Sequence, residues 1–231
     1  PRILAFDTSS SLCVCGVVEG ERVAACEVGA SPTAPSEGLL PMIHRCLEGA
    51  GLTLADLDAV VPGRGPGSFT GTRIALSTAK GIALGSGLPI VAVSSLEAAA
   101  IDAGRTGPVV VALDARKGEI LISAHAWSEA GGLCTLLEPE LVRPDEVQGR
   151  IASLQGGAGV PVRGDAPASY PEAFRGGACE IEPDGSPLVS SPLSLVRLAM
   201  GRIRSSAWDD PDVLEPLYSR PPPVHRAGRR D

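Results

Sequence analysis

Residues 3–15 read ILAFDTSSSLCVC, and residues 110–122 read VVALDARKGEILI. Each is a four-residue apolar run, an aspartate, a polar turn and a second β-rich run. Asp7 and Asp114 fall in register at a spacing of 107 residues. An internal repeat of this length indicates a duplicated structural unit. The expected architecture is therefore two related α/β lobes, each turning a polar hairpin toward a shared cleft. Asp7 with Thr8–Ser11, and Asp114 with Arg116 and Lys117, are the candidate groups at that cleft. Each aspartate has a phosphate-binding reading and a structural one, since an aspartate at a tight turn caps nearby N–H groups.

The first unit continues outward from its repeat. Leu12–Val18 and Arg22–Val28 read as strands around the turn Glu19-Gly20-Glu21. Residues 29–36 form a proline-rich loop. Leu39, Leu40, Ile43, Cys46, Leu47 and Ala50 recur at helical spacing, with Pro41 placed in the first turn or kinking the helix. Strands are expected at Leu57–Val61 and Pro89–Ser94, and a helix at Ser95–Ala103. Farther on, a strand is expected at Leu137–Val142, a helix at Pro144–Leu154, a short strand around Val160–Val162 and an amphipathic helix at Leu193–Ile203. This divides the chain into a first lobe over 1–104, a second over 105–205, a segment 206–220 returning to the first lobe, and a disordered tail over 221–231.

Between the strands lies PGRGPGSFTGTRIALSTAKG, residues 62–81. A glycine-rich loop feeding a helix suggests an anion site, but no Gly-Lys-Ser/Thr follows Gly67. The G-x-G-x-x-G spacing also fails, because Gly71 comes one residue late. The helix carries two rows of small residues: Gly71, Ala75, Ala79 and Ala83, and then Ser77, Gly81 and Gly85. Small rows admit a closely packed neighbour. That neighbour is either the protein's own sheet or a helix of another chain.

The chain has 231 residues with a formal net charge of −7, against broad gripping of nucleic acid. Six cysteines lack paired metal-ligand spacing and read as reduced small hydrophobes, with Cys13 and Cys15 on one strand face. His44, His125 and His225 include no i, i+4 pair, and no G-x-S-x-G elbow occurs. No window approaches the roughly 18 apolar residues of a membrane span. The start PRILAF lacks the ordered regions of a signal peptide, so a soluble cytoplasmic protein is expected.

ILAFDTSS, SEGLLPMI (36–43), GRGPGSFTGTRIALSTAKGIAL (63–84), VSSLEA (93–98), ALDARKGEI (112–120) and EPLYSR (215–220) together resemble the TsaB family, also called YeaZ. The resemblance implies the duplicated actin-like ATPase/sugar-kinase fold, with two lobes each built on a mixed sheet flanked by helices. It implies a role in making threonylcarbamoyladenosine on tRNA as the non-catalytic partner of TsaD, with TsaE joining the pair. It also implies homodimers through the first lobe's helices, and only indirect contact with tRNA. No cofactor is expected in this chain; nucleotide or metal belongs to TsaD or to a junction with it. Relatives often carry a histidine where Pro35 stands, which further lowers any metal-binding role.

The expected partner interface is Leu40, Ile43, Arg73, Ala75, Ser77, Ala79, Lys80 and Gly81, with Arg73 on the exposed side. Asp7, Thr8, Ser9, Gly67 and Asp114 stand as vestiges of a phosphate loop, and RGDA (163–166) as a weak trace of an adenosine pocket. The alternative is an independent ATP-binding phosphotransferase or ATPase of the same fold, resting on the two aspartates and the glycine loop.

Overall fold

The computed structural model describes residues 1–30, 35–104, 107–127, 132–154, 159–176, 179–181 and 190–219. The tail expected over 221–231, with its arginines and His225, lies outside the described residues.

Two sheets of matching topology carry the fold. The first has strands β1 (Arg2–Asp7), β2 (Leu12–Glu19), β3 (Arg22–Ala30) and β4 (Ala59–Pro62), in the order β3-β2-β1-β4. The second has β5 (Val109–Asp114), β6 (Ile120–Trp127), β7 (Leu133–Val142), β8 (Val160–Arg163) and β9 (Cys179–Ile181), in the order β7-β6-β5-β8-β9. β1 pairs antiparallel with β2 and parallel with β4, just as β5 pairs with β6 and β8. Asp7 and Asp114 both end the first strand of their unit, as the repeat requires.

Helices α1 (Pro35–Ala50), α2 (Phe69–Ser86), α3 (Ser95–Asp102), α4 (Val147–Ala152), α5 (Ala166–Ser169) and α6 (Pro192–Arg204) complete five layers. Alternation along β1 sends Leu4 and Phe6 to the outer face, where they meet Leu39 and Cys46 of α1 and Ala75 and Ala79 of α2. Ile3 and Ala5 point inward, against Ala98 of α3 and Leu195, Val196 and Ala199 of α6. Leu96, Ala99 and Ala100 on the other side of α3 pack on Val109, Val111 and Leu121 of the second sheet. The remaining face of that sheet buries Val110, Ile120 and Ile122 under Val147, Ile151 and Phe174.

Three expectations change here. α6 belongs with the first sheet, because its apolar stripe fits the inward face of β1 and β4. Its N-terminus is tied to the end of α3, where Asp102 accepts hydrogen bonds from Ser191 N–H (2.6 Å) and Ser191 Oγ–H (2.7 Å). α1 starts at Pro35 rather than at Leu39, which places Pro41 inside the helix, the second of its two expected positions. Pro89–Ser94 is an extended edge beside β4, joined through Val60 N–H to Pro89 O (2.9 Å) and Val91 N–H to Val60 O (3.0 Å). It pairs only through isolated bridges.

The described C-terminal residues return to the first sheet. Asp209 accepts from Ala92 N–H at 2.7 Å, Leu214 is buried with the outer core, and Leu217 N–H donates to Arg64 O at 2.8 Å.

One buried polar group gives the fold a pH dependence. His125, 2% exposed, sits on the face of β6 that carries Leu121, with its Nε2 3.0 Å from Ser123 Oγ. Burial pulls its pKa from 6.5 down to about 4. Between those values the unfolded chain takes up a proton that the folded chain refuses. Stability therefore falls as pH drops through that window, by about 3 kcal/mol when complete. Glu97, pushed upward by burial and by Glu138, works in the opposite direction. Denaturant titrations from pH 7 to pH 4 should show a shallower decline for His125→Asn than for the wild type. Equal slopes would remove His125 from the explanation.

Candidate functional site

The turn after β1 is held against the start of α2. Thr8 Oγ1–H donates to Gly71 O at 2.6 Å, and Ser68 N–H donates to Ser9 O at 2.6 Å. Ser68 also caps α2, its hydroxyl oxygen accepting from Gly71 N–H at 3.2 Å. The glycines are there for this contact. A Cβ on Gly71 would lie 1.8 Å from Thr8 O, and one on Gly67 2.3 Å from Ser9 O. The loop that reads like a phosphate cradle is filled by the protein's own β1–β2 turn.

Asp7, Thr8, Ser9 and Gly67 are thus brought together, with Asp114 across the cleft. Asp7, Thr8 and Ser9 are all buried. Asp7 Oδ1 accepts from Ser9 N–H (2.8 Å) and Oδ2 from Ser190 Oγ–H (2.8 Å), so both carboxylate oxygens have protein partners.

Asp114 is turned into a second network. It accepts from Arg116 N–H at 2.8 Å and from the Tyr170 hydroxyl at 3.0 Å, and pairs with the Arg116 guanidinium at 3.3 Å. Burial pushes its pKa up, but the Arg116 N–H, the Tyr170 hydroxyl and the Arg116 charge outweigh it and leave it below the usual carboxylate range. Its own N–H donates to Asp165 at 2.8 Å, which gives the RGDA stretch a role in holding the β5–β6 turn. Between the two turns, the start of α2 and Tyr218 lies a cavity of about 790 Å³. Among the described residues no group of three His, Cys, Asp or Glu side chains could hold a metal ion.

The outer side of α2 is the second candidate surface, and here the expected residues separate. Ala75 and Ala79 are fully buried and Ile43 is 5% exposed, all in the outer core. The row of Gly71, Ala75 and Ala79 packs on the protein's own turn and sheet, so these positions are withdrawn from a docking face. Arg73, Ser77 and Gly81 are exposed, Lys80 is half-buried, and Leu40 on α1 is 53% exposed. A Cβ at Gly81 would meet nothing within 4 Å.

The same stripe holds Leu84, 91% exposed, which the sequence reading passed over. Its position seven residues after Ser77 places it on that face by helical period alone. A second omission is the cluster at the helix start. The Arg73 guanidinium stands 3.9 Å above the Phe69 ring and its Nε–H donates to Tyr218 Oη at 2.9 Å. No sequence pattern pairs residues 145 positions apart.

Residues 32–149 match the family model TsaD, described as tRNA N6-adenosine threonylcarbamoyltransferase. The tRNA threonylcarbamoyladenosine biosynthesis protein TsaB of Escherichia coli is 35% identical over 158 residues, 67% of this chain and 68% of that protein. The protein of the same name from Haemophilus influenzae is 39% identical over 125 residues, 52% of each chain. A crystal structure from Pseudomonas aeruginosa, described as similar to the peptidase YeaZ, superposes with a TM-score of 0.79 at 26% identity and covers 95% of this chain and 99% of that one. The fold is the duplicated actin-like ATPase/sugar-kinase fold.

Proposed function

The chain belongs to the TsaB, or YeaZ, family, and on that premise we propose that it is a non-catalytic subunit of the machinery that makes threonylcarbamoyladenosine in tRNA. Involvement in that biosynthesis follows from the family. The finer reading is that it docks on TsaD, with TsaE joining, and leaves threonylcarbamoyl transfer to TsaD. Homodimers would use the same helices, tRNA would be met through the complex, and the site of action would be the cytoplasm. Among the described residues no helix is long and apolar enough to cross a membrane.

The observation that carries this reading is the outer face of α2. Arg73, Ser77, Gly81 and Leu84 lie along one side of an 18-residue helix, with a nearly fully exposed leucine beside residues too small to obstruct a neighbouring helix. An apolar side chain so exposed gains from a partner that covers it. The cleft supports the non-catalytic part of the reading, because the β1–β2 turn fills the glycine loop against Gly67 and Gly71 and Asp7 is buried, accepting from Ser9 N–H and Ser190 Oγ–H.

Reconstitution tests the proposal. With TsaD, TsaE, ATP and threonylcarbamoyl-adenylate present, omitting this chain should collapse multiple-turnover tRNA modification, and this chain alone should transfer nothing. An unchanged rate without it would remove the proposal. The phosphotransferase reading keeps one observation in its favour, the cavity of about 790 Å³ between the two aspartate turns. Saturable Mg²⁺–ATP binding to the isolated chain, weakened by Asp7→Ala, would favour it.

A further inference from the structure

The start of α2 presents an exposed arginine that is already held in place. Phe69 and Arg73 stand one helical turn apart, and the Arg73 guanidinium lies 3.9 Å from the centre of the Phe69 ring. Its Nε–H donates to Tyr218 Oη at 2.9 Å. The two rings are themselves in contact, 5.3 Å between centres and tilted by 31°. Tyr218 is fixed in turn by the chain return, through Leu217 N–H to Arg64 O and the buried Leu214. Among the described residues no carboxylate pairs with Arg73, and its two Nη groups have no protein partner.

A guanidinium stacked on a ring keeps its N–H groups in its own plane, directed past the ring edge. With Nε–H taken by Tyr218, the two Nη groups form a fork of the shape that grips a carboxylate through two parallel bonds. The stack orders this side chain before any partner arrives, so little rotamer freedom remains to be lost on binding. We propose that Arg73 is the specificity anchor of the docking face: its fork receives an aspartate or glutamate of TsaD, and Phe69 and Tyr218 are its positioning residues. This inference rests on the docking reading of α2.

Helix geometry defines what the partner must carry. Arg73 and Leu84 are three turns apart, about 16 Å along the axis, with Ser77 and Gly81 between them on the same side. The matching element is a helix of at least that length, with a carboxylate at one end and an apolar side chain against Leu84 at the other. A second copy of this chain does not offer that pattern through α2. The 18 residues of α2 contain no aspartate or glutamate, and its only charged side chains are Arg73 and Lys80. Packing α2 on α2 therefore opposes like charges, which costs affinity. The arginine that recruits TsaD disfavours the homodimer.

The test is calorimetric titration of full-length TsaD with the full chain, each variant first shown folded by circular dichroism. Arg73→Gln should weaken binding about thirtyfold. Arg73→Lys should lose about tenfold, since a lysine keeps the charge and not the fork. Tyr218→Phe keeps the ring but leaves Nε–H unheld, and should lose about threefold. Double-mutant cycles pair Arg73→Gln with each aspartate and glutamate of TsaD changed to its amide, and one pair should couple by at least about tenfold. Self-association of Arg73→Gln, followed by sedimentation, should equal or exceed that of the wild type. Wild-type affinity of Arg73→Gln for TsaD, no coupling to any TsaD carboxylate, or weaker self-association of the variant would each overturn this inference and leave the docking reading standing. Failure of the wild type to bind TsaD would remove both.

Discussion

Gly71→Ala is expected to lower the unfolding free energy by about 3 kcal/mol or more, whereas Gly81→Ala on the same helix should leave it level or raise it by about 0.5–1 kcal/mol. Helix propensity alone predicts a gain at both positions. At Gly71 the added methyl meets Thr8 O at 1.8 Å, and that carbonyl cannot simply rotate aside. The turn carrying it is fixed by Thr8 Oγ1–H to Gly71 O and by Ser68 N–H to Ser9 O. Relief therefore means moving the whole β1–β2 turn off α2. At Gly81 the methyl enters open space. Denaturant midpoints of the two variants decide the point. Equal stability of Gly71→Ala and the wild type would show that the turn does not rest on this glycine.

Ala79→Arg is expected to have the larger effect, a loss exceeding about 4 kcal/mol and a melting temperature lower by roughly 10 °C. Ala79 is fully buried in the apolar cluster that also holds Phe6, Val60 and Ile74. An arginine there overpacks the core and carries a charge into it with no carboxylate in that apolar cluster to receive it. Ser77→Arg places the same side chain on the exposed face two residues away and should melt within a few degrees of the wild type. Thermal melts followed by circular dichroism compare them. A cooperative melt of Ala79→Arg at the wild-type temperature would mean that the two faces of α2 are assigned the wrong way round.

That assignment shows what the sequence could and could not say. The duplication was legible because strand, aspartate, turn and strand follow one another locally, and Asp7 and Asp114 occupy the same place in both sheets. The two small rows of α2 were legible as rows, but size alone does not tell which faces the core. A signal was present: Leu76 and Ile82 share the half of the helix that holds Ala75 and Ala79, while Arg73, Lys80 and Gly81 lie toward the other half. The seat of α6 was not legible, because an amphipathic stripe says that a face is buried and not which sheet buries it. The Arg73–Phe69–Tyr218 cluster depends on a chain return that no local pattern encodes. The fit of Thr8 and Ser9 into Gly67 and Gly71 is likewise a tertiary contact, and it turns an apparent phosphate loop into a structural seat.

The proposed docking of TsaD on the exposed stripe of α2 can be tested directly. The direct measurement is sedimentation velocity of TsaD mixed with this chain as wild type, Gly81→Glu and Leu84→Glu, after circular dichroism has shown all three folded. A charge placed where a neighbouring helix must pack closely should weaken association at least about tenfold. A heterodimer boundary is expected with the wild type, and separate TsaD and free-chain boundaries with both variants at the same concentration. Wild-type association by both folded variants would contradict it.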